Sequence, residues 1–278
     1  MEQKSLLAAF AHPDDESFGT AGVFRRYKDA GVHTALICAT KGEEGEISDP
    51  ALATKETLGA VREGELREAA GIMGVDDLVF LGYHDGQLAA AAIDEAVGKI
   101  VREIRRLKPQ VVVTFAANGG YGHVDHMAIY RLTRDAFHKA ADPDCYPEQL
   151  AEGLDPYKPQ KLYATGFPRA AMSTMRALAQ SAGQTFTPGG AAATIPVEEM
   201  GTPDDEITTK MMLSDAQFQT KMLAMNAHRT QIGDSSPMKL LPDDAVRNWL
   251  GTESFVLLEP AGLPGNGSED DLFAGVTL

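Results

Sequence analysis

Along the first half of the chain, short apolar runs alternate with segments of helical period, the pattern of a parallel sheet with crossover helices. Ser5 to Ala11 reads as a first strand that ends at His12-Pro13. Thr20 to Ala30 follows as a helix with Val23, Phe24 and Tyr27 on one face and Gly31 as its stop. Val32 to Ala39 makes a second strand and runs into a polar, Gly-rich loop, Thr40 to Asp49. A longer helix covers about Thr57 to Met73 and ends at Gly74; Leu78 to Leu81 is a third strand. Ile93 to Leu107 is another helix, stopped by Lys108-Pro109, and Val111 to Phe115 is a β-branched fourth strand. The loop Ala116 to Val124 then leads into a helix that reaches about Ala140.

Beyond this point the pattern loosens. Asp142 to Tyr157 is rich in Pro and Asp, and Lys161 to Gly166 offers a fifth strand. Gly183 to Thr194 has no periodicity and reads as a loop or insertion. Ser214 opens a helix with Gln217 placed for a capping box and Phe218, Met222 and Met225 on its buried face. Met211 and Met212 read as core filler. Glu253 to Leu258 is a final strand, and the Gly-rich, acidic tail after Pro260 is expected to fray. No internal repeat and no clean linker divides the chain.

Composition narrows the class. The 278 residues carry a net charge of −15 with 44% hydrophobic content, which suits a large globular domain and opposes nonspecific binding to nucleic acid or an anionic membrane. Cys38 and Cys145 are too few for a disulfide framework, and Cys38 lies in an apolar run. With no signal-peptide pattern and no span-length apolar stretch, a cytoplasmic protein is expected.

The chemistry concentrates in two segments. Ala11-His12-Pro13-Asp14-Asp15-Glu16 follows strand one, and in open α/β sheets sites form beyond the carboxyl ends of strands. Imidazole and carboxylate suit zinc, and of two adjacent carboxylates one can ligate while the other takes a proton from water. The competing reading makes Asp14 and Asp15 simple helix caps. Asn118-Gly119-Gly120-Tyr121-Gly122-His123-Val124-Asp125-His126 follows strand four. His126 falls in the first turn of the next helix and His123 just outside it, while Asp125 can fix an imidazole tautomer or merely cap. Two such segments at strand ends in one sheet favour a metal site. A two-carboxylate glycosidase fits poorly, because Asp14 and Asp15 are sequence neighbours whereas glycosidase carboxyls flank a bond about 5 Å or more apart.

These segments resemble the PIG-L/LmbE-like zinc deacetylases. Agreement extends through Thr40–Glu46, Arg62–Leu66 and Leu81–Gly86, and resumes at Ala227-His228-Arg229-Thr230-Gln231. The resemblance implies an α/β fold: a Rossmann-like, mostly parallel sheet flanked by helices, with a C-terminal extension. One domain over residues 1–278 is expected, with a core at 1–140, a variable insertion at 141–213 that shapes the pocket, and a closing helix, strand and tail at 214–278. It implies His12, Asp15 and His126 as ligands to Zn2+, with Fe2+ an alternative, and Asp14 as general base. It further implies a protonated His123 as oxyanion stabiliser oriented by Asp125, and Tyr121 as a mobile group near the carbonyl. Arg62 and Glu46 are implied as substrate-binding, Arg62 competing with a solvated ion pair to Glu63 or Glu65 and Glu46 with a plain acidic loop. His228 is given a supporting or substrate-side role, against one of complementing a helix dipole.

The expected reaction is hydrolysis of an N-acetyl group on an amino sugar of the N-acetylglucosamine type, releasing acetate. The alternatives are a zinc amidase of a thiol-sugar conjugate and a non-catalytic sugar- or nucleotide-binding relative. The expected partner is a small N-acyl amino sugar, with a homo-oligomer left open.

Overall fold

The computed structural model describes residues 3–181, 193–234, 236, 239, 241–261 and 269–277. The strands are β1 (Ser5–Phe10), β2 (His33–Cys38), β3 (Asp77–Phe80), β4 (Val111–Thr114), β5 (Lys161–Gly166), β6 (Thr209–Met212) and β7 (Thr252–Glu259). The helices are α1 (Asp15–Gly19), α2 (Ala21–Asp29), α3 (Leu58–Met73), α4 (Ile93–Leu107), α5 (Gly119–Gly122), α6 (Val124–Lys139), α7 (Pro147–Ala151), α8 (Arg169–Ser181), α9 (Asp215–Ala227) and α10 (Asp243–Leu250). The strands form one sheet in the order β3-β2-β1-β4-β5-β7-β6. β3, β2, β1, β4 and β5 run parallel, and β7 joins β5 antiparallel with β6 beyond it.

Every residue of β1 is buried, as expected of a strand covered on both faces. From β1 the chain winds outward through β2 and β3, then returns to pair β4 on the other side of β1. The order therefore reverses between β1 and β4, which opens a crevice beyond their carboxyl ends. His12 follows one of these strands and the Gly119–His126 segment the other.

The second half departs from the sequence reading in three places. β6 forms where no strand is expected, and its alternation buries Met211 but leaves Met212 75% exposed, so Met212 is not core. The tail does not fray throughout: Leu272 and Phe273 are buried, and Glu269 accepts hydrogen bonds from Lys161 and Tyr163. Asp142 to Tyr157 contains α7, organised by buried Arg105, which donates to the carbonyls of Ala140, Asp142, Cys145 and Tyr146. The expected loop from Gly183 lies outside the described residues up to residue 192. The capping box at Ser214 and Gln217 is present, and Cys38 and Cys145 are unbridged.

One buried ion pair ties the C-terminal elements to the core. Glu253 accepts from the amides of Gly22 and Val23 in the first turn of α2, at 3.0 and 2.8 Å. Lys221 of α9 donates to Glu253 at 3.0 Å and to the Phe18 carbonyl at 2.7 Å. Lys221→Met leaves part of a buried carboxylate uncompensated, so unfolding free energy should fall by about 3 kcal/mol in urea titration. A loss below about 0.5 kcal/mol, the ordinary range for a surface substitution, would contradict this role.

Candidate active site

α1 begins immediately after Asp14, yet the Asp14 side chain makes no capping hydrogen bond. Its backbone sits at φ 115°, a conformation that L-residues rarely adopt. Glu16 reaches back instead, its Oε2 accepting from the Asp14 amide at 3.0 Å. The capping interpretation of Asp14 therefore fails.

Asp15 lies on the first turn of α1 and faces both histidines. Its Oδ1 is 3.3 Å from His126 Nε2, and its Oδ2 is 3.6 Å from His12 Nδ1. His12 Nδ1 and His126 Nε2 are 3.1 Å apart. The other nitrogen of each ring points away from this cluster. His126 Nδ1 is 3.1 Å from the Gly119 carbonyl, which can only accept, so the proton sits there and Nε2 presents its lone pair. His126 also stacks on Phe115 with centroids 3.9 Å apart. His12 Nε2 lies 2.9 Å from Asp85 Oδ1 and 3.5 Å from Asp125 Oδ2, although off the line of a hydrogen bond to either.

Burial disfavours a charged His12, but Asp125, Asp15 and Asp85 outweigh it and hold the imidazole well above its ordinary range. Burial would raise Asp15, yet His126 and His12 hold it well below the usual carboxylate range. Burial pushes Asp14 up to about 6, with Arg62 opposing. His123 goes the other way: burial, His12 and His126 push it down to about 4. Its Nδ1 accepts from the Asp125 amide at 3.2 Å, which places the proton of a neutral ring on Nε2. A neutral His123 thus replaces the protonated one expected from sequence.

Asp125 also differs from expectation. Its carboxylate accepts from the amides of Gly86 and Leu88 at 2.7 and 3.2 Å, so its side chain steadies that loop and faces His12 rather than orienting His123. Tyr121 packs edge-on against His126 with centroids 5.0 Å apart. Main-chain bonds from Thr194 to Tyr121 and from Gly201 to Gly120 fasten residues of the 141–213 stretch to this loop.

The remaining candidates separate. Arg62 is 3% exposed and donates to the carbonyls of Gly42 and Pro13 and to Asp14 Oδ2, the last at 3.2 Å. It is not a solvated partner of Glu63 or Glu65: Glu63 pairs with Lys41 and Arg67, and Glu65 accepts from Thr230. Glu46 is exposed on the loop after β2, its carbonyl accepting from Gln231 at 2.9 Å. His228 is fully buried, with Nε2 2.8 Å from Glu16 Oε1, which removes it from direct reach of a substrate. Sequence reasoning did not single out Asp85 or Glu16. Both lie in segments that carry the family resemblance, but neither is itself flagged by a metal-ligand spacing.

The geometry thus gathers two imidazoles, a carboxylate between them and a second carboxylate alongside. Metal-ligating atoms converge in His12, His123 and His126 and again in His12, Asp85 and Asp125, so the cluster around His12 could hold a metal ion and work on a polar substrate. Comparison with known proteins decides the family. The 1D-myo-inositol 2-acetamido-2-deoxy-alpha-D-glucopyranoside deacetylase of Thermobifida fusca is 37% identical over 300 residues, covering 99% of this chain and all of the relative. The chain belongs to the PIG-L family. The family described as PIG-L, GlcNAc-PI de-N-acetylase, matches residues 7–137. A Thermobispora bispora deacetylase of the same name is 35% identical over 311 residues, covering 99% of this chain and all of the relative. Among solved structures, N,N'-diacetylchitobiose deacetylase from Pyrococcus horikoshii superimposes with a TM-score of 0.68 at 20% identity, covering 92% of this chain and 84% of that one. This PIG-L member is accordingly an N-deacetylase, a hydrolase of amide bonds. No helix among its described residues is long and apolar enough to cross a membrane.

The Asp125 carboxylate is what holds the Gly86–Leu88 turn of this PIG-L protein. Asp125→Ala should therefore speed amide exchange at Gly86 and Leu88 by about 10-fold or more, the equivalent of a lost hydrogen bond to a charged acceptor. Unchanged protection at both amides would show that other contacts hold the turn.

Proposed function

We propose that this deacetylase removes the acetyl group from an N-acetylglucosamine unit linked to an inositol-type polyol. The substrate class is that named for the full-length relatives, and the observation that carries the chemistry is the convergence of His12, Asp15 and His126 beside Asp14. His12 Nδ1 and His126 Nε2 stand 3.1 Å apart, Asp15 approaches them with different oxygens, Oδ1 at 3.3 Å from His126 and Oδ2 at 3.6 Å from His12, and the lone pair of His126 Nε2 faces inward, which supports this set. His12, Asp15 and His126 are the residues that would hold Zn2+; the same donors suit Fe2+. A metal held there would supply Lewis acidity, polarising the amide carbonyl and lowering the pKa of water toward about 7.

The chain's own groups carry the proton transfers. Asp14, free of capping duty, takes the proton from the attacking water and returns it to the amine nitrogen as the C–N bond breaks. His123 donates its Nε2 proton as a hydrogen bond to the carbonyl oxygen as charge builds there; a neutral donor serves, because the hydrogen bond strengthens with the developing charge. Tyr121 brings its hydroxyl as a second donor to the same oxygen, Arg62 braces Asp14 from behind, and Glu46 meets a sugar hydroxyl from its exposed loop.

Purified protein should contain about one divalent metal per chain and release acetate from the inositol-linked N-acetylglucosamine faster than from a thiol-bearing amide conjugate. Chelation should abolish turnover. Asp14→Asn should keep the metal while kcat falls about 10^3-fold. Wild-type turnover by Asp14→Asn would refute the assignment of the base.

A further inference from the structure

We infer that Glu16 and His228 are positioning residues that hold Asp14 through its main chain, an inference that rests on the reading of Asp14 as the base. Glu16 is 1% exposed, and the hydrogen bonds to its two oxygens divide between two directions. Oε2 accepts from the Asp14 amide at 3.0 Å. Oε1 accepts from the Ser17 hydroxyl at 2.5 Å and lies 2.8 Å from His228 Nε2. A carboxylate can only accept, so His228 carries its proton on Nε2 and donates. The carboxylate is therefore gripped at one oxygen and grips the base's backbone with the other.

The grip matters because Asp14 sits in a backbone conformation disfavoured for any residue but glycine. Released, its peptide would relax, and its carboxylate would move with it. The anchor comes from a distant part of the chain. His228 follows the last residue of α9, and two residues on, Thr230 is fixed to α3 because Glu65 accepts from its amide at 2.9 Å and its hydroxyl at 2.6 Å. Arg62, one turn earlier on α3, donates to the Pro13 carbonyl and the Asp14 carboxylate. The contacts close a ring: α3 holds the 228–230 segment, His228 holds Glu16, Glu16 holds the Asp14 amide, and Arg62 returns to α3.

A plain buried ion pair between Glu16 and His228 would also account for their burial, and the two roles respond oppositely to conservative changes. Glu16→Gln keeps an oxygen at full reach of the Asp14 amide, and its amide group can donate to Ser17 Oγ, although a His228 proton moved to the buried Nδ1 would find no partner among the described residues. Glu16→Asp keeps the charge opposite His228 but is one methylene too short to reach both partners. Positioning predicts that Glu16→Asp loses kcat by about 30- to 100-fold, the cost of a misplacement on the order of 1 Å, with KM within about threefold of wild type. Glu16→Gln should stay within about tenfold of wild type. His228→Gln, which places a side-chain N–H near the position of Nε2, should likewise recover most of the kcat lost in His228→Ala. A Glu16→Asp variant with wild-type kcat, or one more active than Glu16→Gln, overturns the inference. Asp14→Asn in the same series keeps the two claims apart. If Asp14→Asn is inactive while Glu16→Asp is unimpaired, only the positioning role fails. If Asp14→Asn is fully active, the base assignment fails first.

Discussion

The site depends on the compensation of buried negative charge. Asp14, Asp15, Glu16, Asp85 and Asp125, from the segments that follow β1, β3 and β4, crowd together, and such charges persist in an interior only when paired or fully hydrogen-bonded. Arg62 answers Asp14, His228 answers Glu16, and main-chain amides with His12 answer Asp85 and Asp125. What remains is the inner face of the cluster, where His12 Nδ1, His126 Nε2 and Asp15 turn toward one another. Held in its charged form by the surrounding carboxylates, His12 supplies the positive charge here, and the proposed metal would take that place.

The fold supplies this arrangement through the reversal of strand order between β1 and β4, which places two unrelated loops across one crevice. The second half of the chain then immobilises them. α9 is locked to α2 and β7 through Lys221 and Glu253, and its end delivers His228 beneath Glu16. The stretch around Thr194 to Gly201 bonds to the glycine-rich loop that carries Tyr121. Three glycines give that loop positive φ angles, and at Gly122 a side chain would collide with Thr194. Close approach of two backbones thus explains why glycine stands there.

Much of this was legible in the sequence, for a physical reason. β1, β2 and β4 are buried on both faces, so they read as unbroken apolar runs, and the chemistry follows directly at their ends. β6 was not legible: four residues of alternation are too few to distinguish from a loop. The tail was misread because Leu272-Phe273 is a two-residue anchor inside a polar stretch. Side-chain direction was legible least. Nothing in the order of residues shows that Asp14 turns away from the helix it precedes, or that Arg62 and His228 are buried. The proton on His123 Nε2 follows from a main-chain amide at its other nitrogen, which only the folded loop reveals.

In the proposed site, His12 Nδ1, His126 Nε2 and Asp15 share one metal ion. Crystals grown with zinc and measured at its absorption edge test this directly. An anomalous peak about 2.0–2.2 Å from those three donor atoms is predicted. A peak instead on the outer side of His12, between Nε2, Asp85 and Asp125, or no peak at full zinc occupancy elsewhere, would contradict it.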